Sequence, residues 1–343
     1  MITKFTFLLI FVFANSILSF SSPTLLRTIQ DTEDVSYTSA IYSENKVALF
    51  NGSLLKVWNT QTNKQVFKYI PSQPQDFLIS SAAISPDEKL VAIGGFKPGI
   101  ILLLNAETGT PVRELDFTDI VGYNADPHYK RVHAITFLPD SKSLLSSSSF
   151  PGLLHWNLET GERRHVSSLG GANIRLFPDA KKVLADSSNI YIISLIDGSF
   201  KEFEGSSAAI INSGDSIRMV NYVGTLGRDY KFQITDFDVQ NGEVIQRYEP
   251  FDAGTPHIRV SPDGSIITGL SETTPRLLTF RDGRSGAVLN QLQRESAKPI
   301  TAFTFSPDSR KAIVVLENKV EIFDISSLTS HVPGAVELIN YEN

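Results

Sequence analysis

Three observations predict an all-β fold, a single seven-bladed β-propeller of four-stranded antiparallel blades. The phrase Ser-Pro-Asp stands at Ser85-Pro86-Asp87, Ser261-Pro262-Asp263 and Ser306-Pro307-Asp308, with weaker copies at Leu138-Pro139-Asp140, Phe177-Pro178-Asp179 and Ser213-Gly214-Asp215. Counting a degenerate first copy at Ser43-Glu44-Asn45, the phrases lie 36 to 53 residues apart. Four short strands with tight turns need about that much chain. The apolar runs around them are rich in β-branched and aromatic residues, and no helical period is sustained beyond the first twenty residues.

The N-terminus is set apart from this pattern. Lys4 is followed by an apolar run, Phe5 to Ala14, and by small residues at Ser16, Ser19 and Ser21. This reads as a secretory signal over residues 1–19, cleaved after Ser16 or Ser19. The alternative, an uncleaved anchor, is disfavoured because so short an apolar run spans a bilayer poorly. The propeller is expected over residues 23–343. Leu25-Leu26-Arg27-Thr28-Ile29 reads as a strand left over ahead of the first complete unit. It is expected to close the ring as the outer strand of the last unit, with Ala335-Val336-Glu337-Leu338-Ile339 as the competing closure.

The third unit shows the pattern most clearly. Ala134-Ile135-Thr136-Phe137 is a strand, Pro139-Asp140-Ser141 turns, and Ser143 to Ser147 returns. Leu153 to Leu158 forms the next strand, Glu159-Thr160-Gly161-Glu162 turns again, and a fourth strand starts at Arg163. Proline fixes φ in the first turn, and aspartate accepts bonds from nearby amides. One such hairpin pair cannot bury a core alone. Seven packed face to face can, and closure leaves few exposed edges.

Composition narrows the function. There are no cysteines among the 343 residues, which removes thiol catalysis, disulfides and thiolate metal sites. The formal net charge is −6, and loss of residues 1–19 removes Lys4 and no acid, giving −7. Without a basic stripe, nucleic acid is not an expected partner. The mature chain carries no expected transmembrane segment, and its expected location is extracellular or along the secretory route.

The units resemble WD40-type repeats, and more broadly propellers of the quinoprotein and YVTN kind. The features that carry the resemblance are the Ser-Pro-Asp turns, Val57-Trp58-Asn59, His155-Trp156-Asn157 and Ile322-Phe323-Asp324, with weaker forms at Leu104-Asn105 and Phe237-Asp238. The Gly-His pair of a WD40 unit is missing, so the histidine–aspartate network of that family does not carry over. The resemblance implies a rigid platform for protein or peptide partners, although the wider propeller class also includes enzymes and sugar-binding proteins.

No catalytic signature stands out. The histidines form no HExxH pattern, and no GxSxG elbow is present. His128 and His133, with Asp126, read as loop and strand-start polar residues before they read as metal ligands. Asp119, Asp126, Asp236 and Asp238 could supply oxygen ligands to calcium, but no DxDxDG loop accompanies them. Asp186, Asp236, Asp238 and Asp263 read first as turn or strand-end residues. No cofactor, metal or catalytic residue is assigned. Asn51-Gly52-Ser53 is a glycosylation sequon as well as a turn signal.

The long connections concentrate recognition chemistry. Residues 117–132, 221–230, 250–256 and 271–276 are expected on the face opposite the Ser-Pro-Asp turns. They hold Tyr123, His128, Tyr129, Arg131, Tyr222, Arg228, Tyr230 and Arg276 as partner-binding candidates, with Phe96, Lys97 and Phe150 as possible additions. Tyrosine and arginine combine contact area with hydrogen bonding. The expected function is a secreted, non-catalytic platform for a protein or peptide. The alternatives are a metal-dependent, lactonase-like hydrolase and a carbohydrate-binding propeller.

Overall fold

The computed structural model describes residues 22–33, 35–72, 77–95, 99–120, 130–205, 207–224, 231–255, 258–271, 277–293 and 300–329. Within them, seven antiparallel sheets follow one another around a ring. Blades 1 to 6 span residues 39–69, 79–116, 132–167, 173–203, 207–247 and 258–293. Each runs in chain order from its innermost to its outermost strand. Blade 7 has three strands of its own, Ala302–Phe305, Lys311–Leu316 and Lys319–Asp324. Its outer strand is Thr24–Gln30, from the other end of the chain.

That early strand closes the ring as the sequence suggests. Thr28 lies opposite Glu321 and Ile29 opposite Val320. Ile29 is buried with Tyr37, Val47, Ile313 and Val315 between blades 7 and 1. The competing closing segment, residues 335–339, and the signal region, residues 1–19, lie outside the described residues.

Among the described residues the buried apolar side chains form seven clusters, and each straddles two neighbouring blades. Strand alternation explains this, because each sheet buries both faces and offers one to each neighbour. Trp156 shows the energetics. It is fully buried and packs with Leu103 and Phe117 of the preceding blade region. Its indole N–H donates to Ser146 Oγ at 2.8 Å, which satisfies the one polar atom such burial would strand. Burying a large apolar side chain contributes roughly 1.5–3 kcal/mol.

Two local differences from the sequence reading appear. Part of the connection at 250–256 is a short strand, Phe251–Asp252, which pairs with Lys231 and Phe232 beside blade 5. Phe251 stacks near Phe232, with ring centroids 6.3 Å apart, so apolar contact recruits this stretch to the sheet. After blade 7 the chain forms one helical turn, Ser326–Thr329. Asp324 starts it by accepting from the Ser326 amide at 2.8 Å.

Candidate functional site

The two faces of the ring differ in how regularly they are built. On the turn face, Ser85 Oγ donates to Asp87 Oδ1 at 2.7 Å and accepts from the Leu90 amide at 3.0 Å. Ser261 with Asp263, and Ser306 with Asp308, repeat this motif. The fourth residue of these turns has positive φ, at Glu88, Ser141, Ala180, Gly264 and Ser309. From that position three side chains reach the preceding blade. Glu88 accepts from the Asn45 amide at 2.8 Å, Ser141 Oγ from the Asp87 amide at 3.1 Å, and Ser309 Oγ from the Asp263 amide at 3.0 Å.

The strand-end Asn and Asp residues work locally on the same face. Asn105 Oδ1 accepts from the Glu107 and Thr108 amides, and Asp238 Oδ1 from those of Gln240 and Asn241. These are Asx turns, which need no histidine partner. They account for the retained Asn/Asp where the Gly-His pair is missing.

The opposite face carries connections of unequal length. Three residues join blades 4 and 5, whereas fifteen, 117–131, join blades 2 and 3. Of the partner-binding candidates, Arg131 and Tyr222 fall among the described residues. Tyr123, His128, Tyr129, Arg228, Tyr230 and Arg276 lie outside them, as do Phe96 and Lys97. Arg131 is half-buried just ahead of the first strand of blade 3. Tyr222 ends the second strand of blade 5 and packs edge-on against Phe232, with centroids 5.4 Å apart. Its ring is therefore partly committed to the body. Phe150 is half-buried in the loop between the second and third strands of blade 3.

The candidate metal ligands have separate partners. Asp119 accepts both Arg163 bonds at 2.6 Å, and Arg163 holds its carboxyl below the usual range. Asp236 is not a turn residue. It forms a buried bidentate pair with Arg218 at 2.7 and 2.8 Å. His133 Nε2 lies 2.9 Å from Ser149 Oγ, and burial holds its pKa down. Asp126 is outside the described residues. Among the described residues no three His, Cys, Asp or Glu side chains are grouped to hold a metal. Asn51 Oδ1 accepts from the Ser53 amide at 2.9 Å, and its Nδ2 donates to Ser36 O at 2.9 Å. The turn reading of the sequon holds, and a glycosylated amide would still keep one N–H.

A different set of residues occupies the axis. Innermost strands of several adjacent blades touch one another. Next to last on the first strand of each blade, Ile41, Ala83, Thr136, Arg175, Ile210, Arg259 and Thr304 hold equivalent places. Apart from Ala83 these residues keep some exposure, which on an innermost strand means exposure to the axial channel. Arginine stands at two of the seven positions, in blades 4 and 6, with Ile210 of blade 5 between them.

One of these arginines is paired with a carboxylate. Asp186 ends the second strand of blade 4, at the long-connection end. Arg175 Nη1 donates to Asp186 Oδ2 at 3.1 Å and to Ala208 O of blade 5 at 2.5 Å. Asp186 is only 5% exposed, and its Oδ1 has no hydrogen-bond partner among the described residues. Burial raises its pKa, although Arg175 and Arg259 favour its charge. The Arg259 side chain is exposed and makes no hydrogen bond among the described residues. Crowding by protein and the neighbouring Arg175 charge lower its pKa, with Asp186 opposing them. Arg175, Asp186 and Arg259 were missed as a site in the sequence. The available signal was the next-to-last place on each first strand, where apolar or small residues give way twice to arginine.

A second concavity of about 580 Å³ lies between the outer strand of blade 4 and the face of blade 5. Phe203 and Phe237 meet edge-on there at 5.3 Å, flanked by Glu204, Asn221 and Arg247.

The fold is thus a seven-bladed β-propeller closed by its N-terminal strand. No protein-family model matches the chain, and no curated protein matches it. No described helix is long and apolar enough to cross a membrane.

Proposed function

We propose that the mature chain is a secreted, non-catalytic platform that captures a protein or peptide on the face of the long connections. The asymmetry between the faces carries this reading. The Ser and Asp side chains of the turn face bond within their own turns and across to the preceding blade. The other face varies in loop length. A scaffold that fixes one face and varies the other is suited to recognition. The WD40-like turns and the arginine- and tyrosine-rich connections support the same reading.

The test starts from the chain recovered from the medium of a secreting host. Peptides selected against it by display would be measured on the wild type and on the Tyr129→Ala/Arg131→Ala double variant. The expected result is at least about a tenfold loss of affinity, typical of removing hot-spot side chains, with the thermal transition unchanged. Equal affinity in the variant would exclude this placement of the binding face.

A further inference from the structure

We propose that Arg259 and Arg175 form an axial recognition site for the carboxylate of an acidic peptide side chain, with Asp186 holding the Arg175 guanidinium in position. The proposal rests on the platform reading and names the chemistry that platform selects.

Charge comes first. Arg175 is paired with Asp186, and Arg259 stands at the equivalent place two blades on, so a positive charge is left over even with Asp186 ionised. Arg175 and Arg259 hold equivalent register positions on innermost strands two blades apart, so their charges repel across the axis. An incoming anion between them would relieve that repulsion. Hydrogen-bond capacity gives the second argument. Arg175 uses Nη1 on Asp186 and Ala208, while its Nη2 and Nε make no bond among the described residues. The Arg259 guanidinium is likewise uncommitted there. Guanidinium groups bind carboxylates through paired N–H donors.

Asp186 positions the site: its Oδ2 accepts from Arg175 Nη1 at 3.1 Å and fixes that guanidinium, while its Oδ1 is closed off inside the protein. An aspartyl or glutamyl side chain of a captured peptide supplies the carboxylate for the two arginines. Placement agrees with this, because Asp186 is at the long-connection end of its strand. Ile210, between the two arginine positions, gives the site an apolar wall.

The probes are N-acetyl-aspartate amide and N-acetyl-asparagine amide, which carry the same amide donors and differ in the charged oxygen. Each would be titrated into the full secreted chain by calorimetry at low ionic strength. Saturable binding of the aspartyl compound is expected, weaker by at least about tenfold for the asparaginyl one and for Arg259→Gln. Arg259→Lys should recover part of the loss, and added salt should weaken binding. Equal binding of both compounds, or no effect of Arg259→Gln on a folded variant, would overturn the axial site. Display-selected peptides that still lose affinity with Tyr129→Ala/Arg131→Ala would then leave the platform reading standing. Loss of that effect as well would remove both.

Discussion

Two buried carboxylates in this ring have opposite environments. At the closure seam Asp31 is 4% exposed and accepts from Lys56 Nζ at 2.7 Å, from the Tyr37 hydroxyl and from the Glu33 amide at 3.0 Å. Lys56 itself is fully buried and also meets Glu33 at 3.1 Å. Beside the axis Asp186 is as deeply buried, with one oxygen paired and the other unmet. Burial pushes both pKa values up. At Asp31 the Lys56 and Tyr37 bonds outweigh that push and the value falls, whereas at Asp186 burial prevails. Fuller pairing at Asp31 and heavier desolvation at Asp186 together separate a carboxylate that stabilises its ionised form from one whose ionised form is disfavoured. The first pins the N-terminal segment to blade 1. The second is the kind of group a binding site can use.

Lys56→Ala should break the seam most severely. It leaves Asp31 buried without its main counter-charge, and loss of one partner of a buried pair costs about 3–5 kcal/mol. Urea unfolding would show this as a lower midpoint. A loss below about 1 kcal/mol would mean that water replaces the lysine, as at exposed pairs.

A pH series sharpens the contrast. Asp31 has a lowered folded pKa, so its contribution is present above the ordinary carboxylate value of 3.8 and is lost as pH falls through the folded value. Asp186 has a raised folded pKa, so its contribution is present below 3.8 and is lost as pH rises through the folded value. Asp31→Asn should therefore lower the neutral-pH unfolding free energy, by about 1–3 kcal/mol for a buried charged bond removed, and with it the urea midpoint. Asp186→Asn should raise the neutral-pH midpoint relative to wild type and lose that advantage in acid. Parallel pH profiles for the two variants would contradict the comparison.

The smallest stability effect is expected for Arg259→Gln. Its side chain is exposed and makes no hydrogen bond among the described residues, so unfolding free energy should stay within about 0.5 kcal/mol. A larger drop, measured in the same urea series, would show that Arg259 is needed to offset Asp186 within the fold.

Much of the architecture was legible because it is repeated locally. The Ser-Pro-Asp phrases mark the passage from first to second strand, and the serine bonds that shape each turn lie within five residues. Leu25 to Ile29 could be identified as the closing strand because blade 7 lacked a fourth. The fate of Phe251 was not legible, since pairing with Phe232 depends on which loop folds back onto blade 5. The candidate site was read only in part. Arg131 and Tyr222 do lie at the loop ends of their blades, but Tyr222 also packs against Phe232. Asp186 reads as a strand-end residue in the sequence, and nothing nearby in the chain marks its arginine partners as a set.

The sequence by itself determined the number of blades, the turn chemistry and the strand that closes the ring. Each is written in short windows whose hydrogen bonds and apolar alternation are local. Tertiary structure alone decided which charges meet. Arg175 and Arg259 are 84 positions apart in the chain, and ring geometry brings them to equivalent places around one axis. It also decided that Asp31 would be fully paired and Asp186 only half paired, because burial and partners are set by the neighbouring blade.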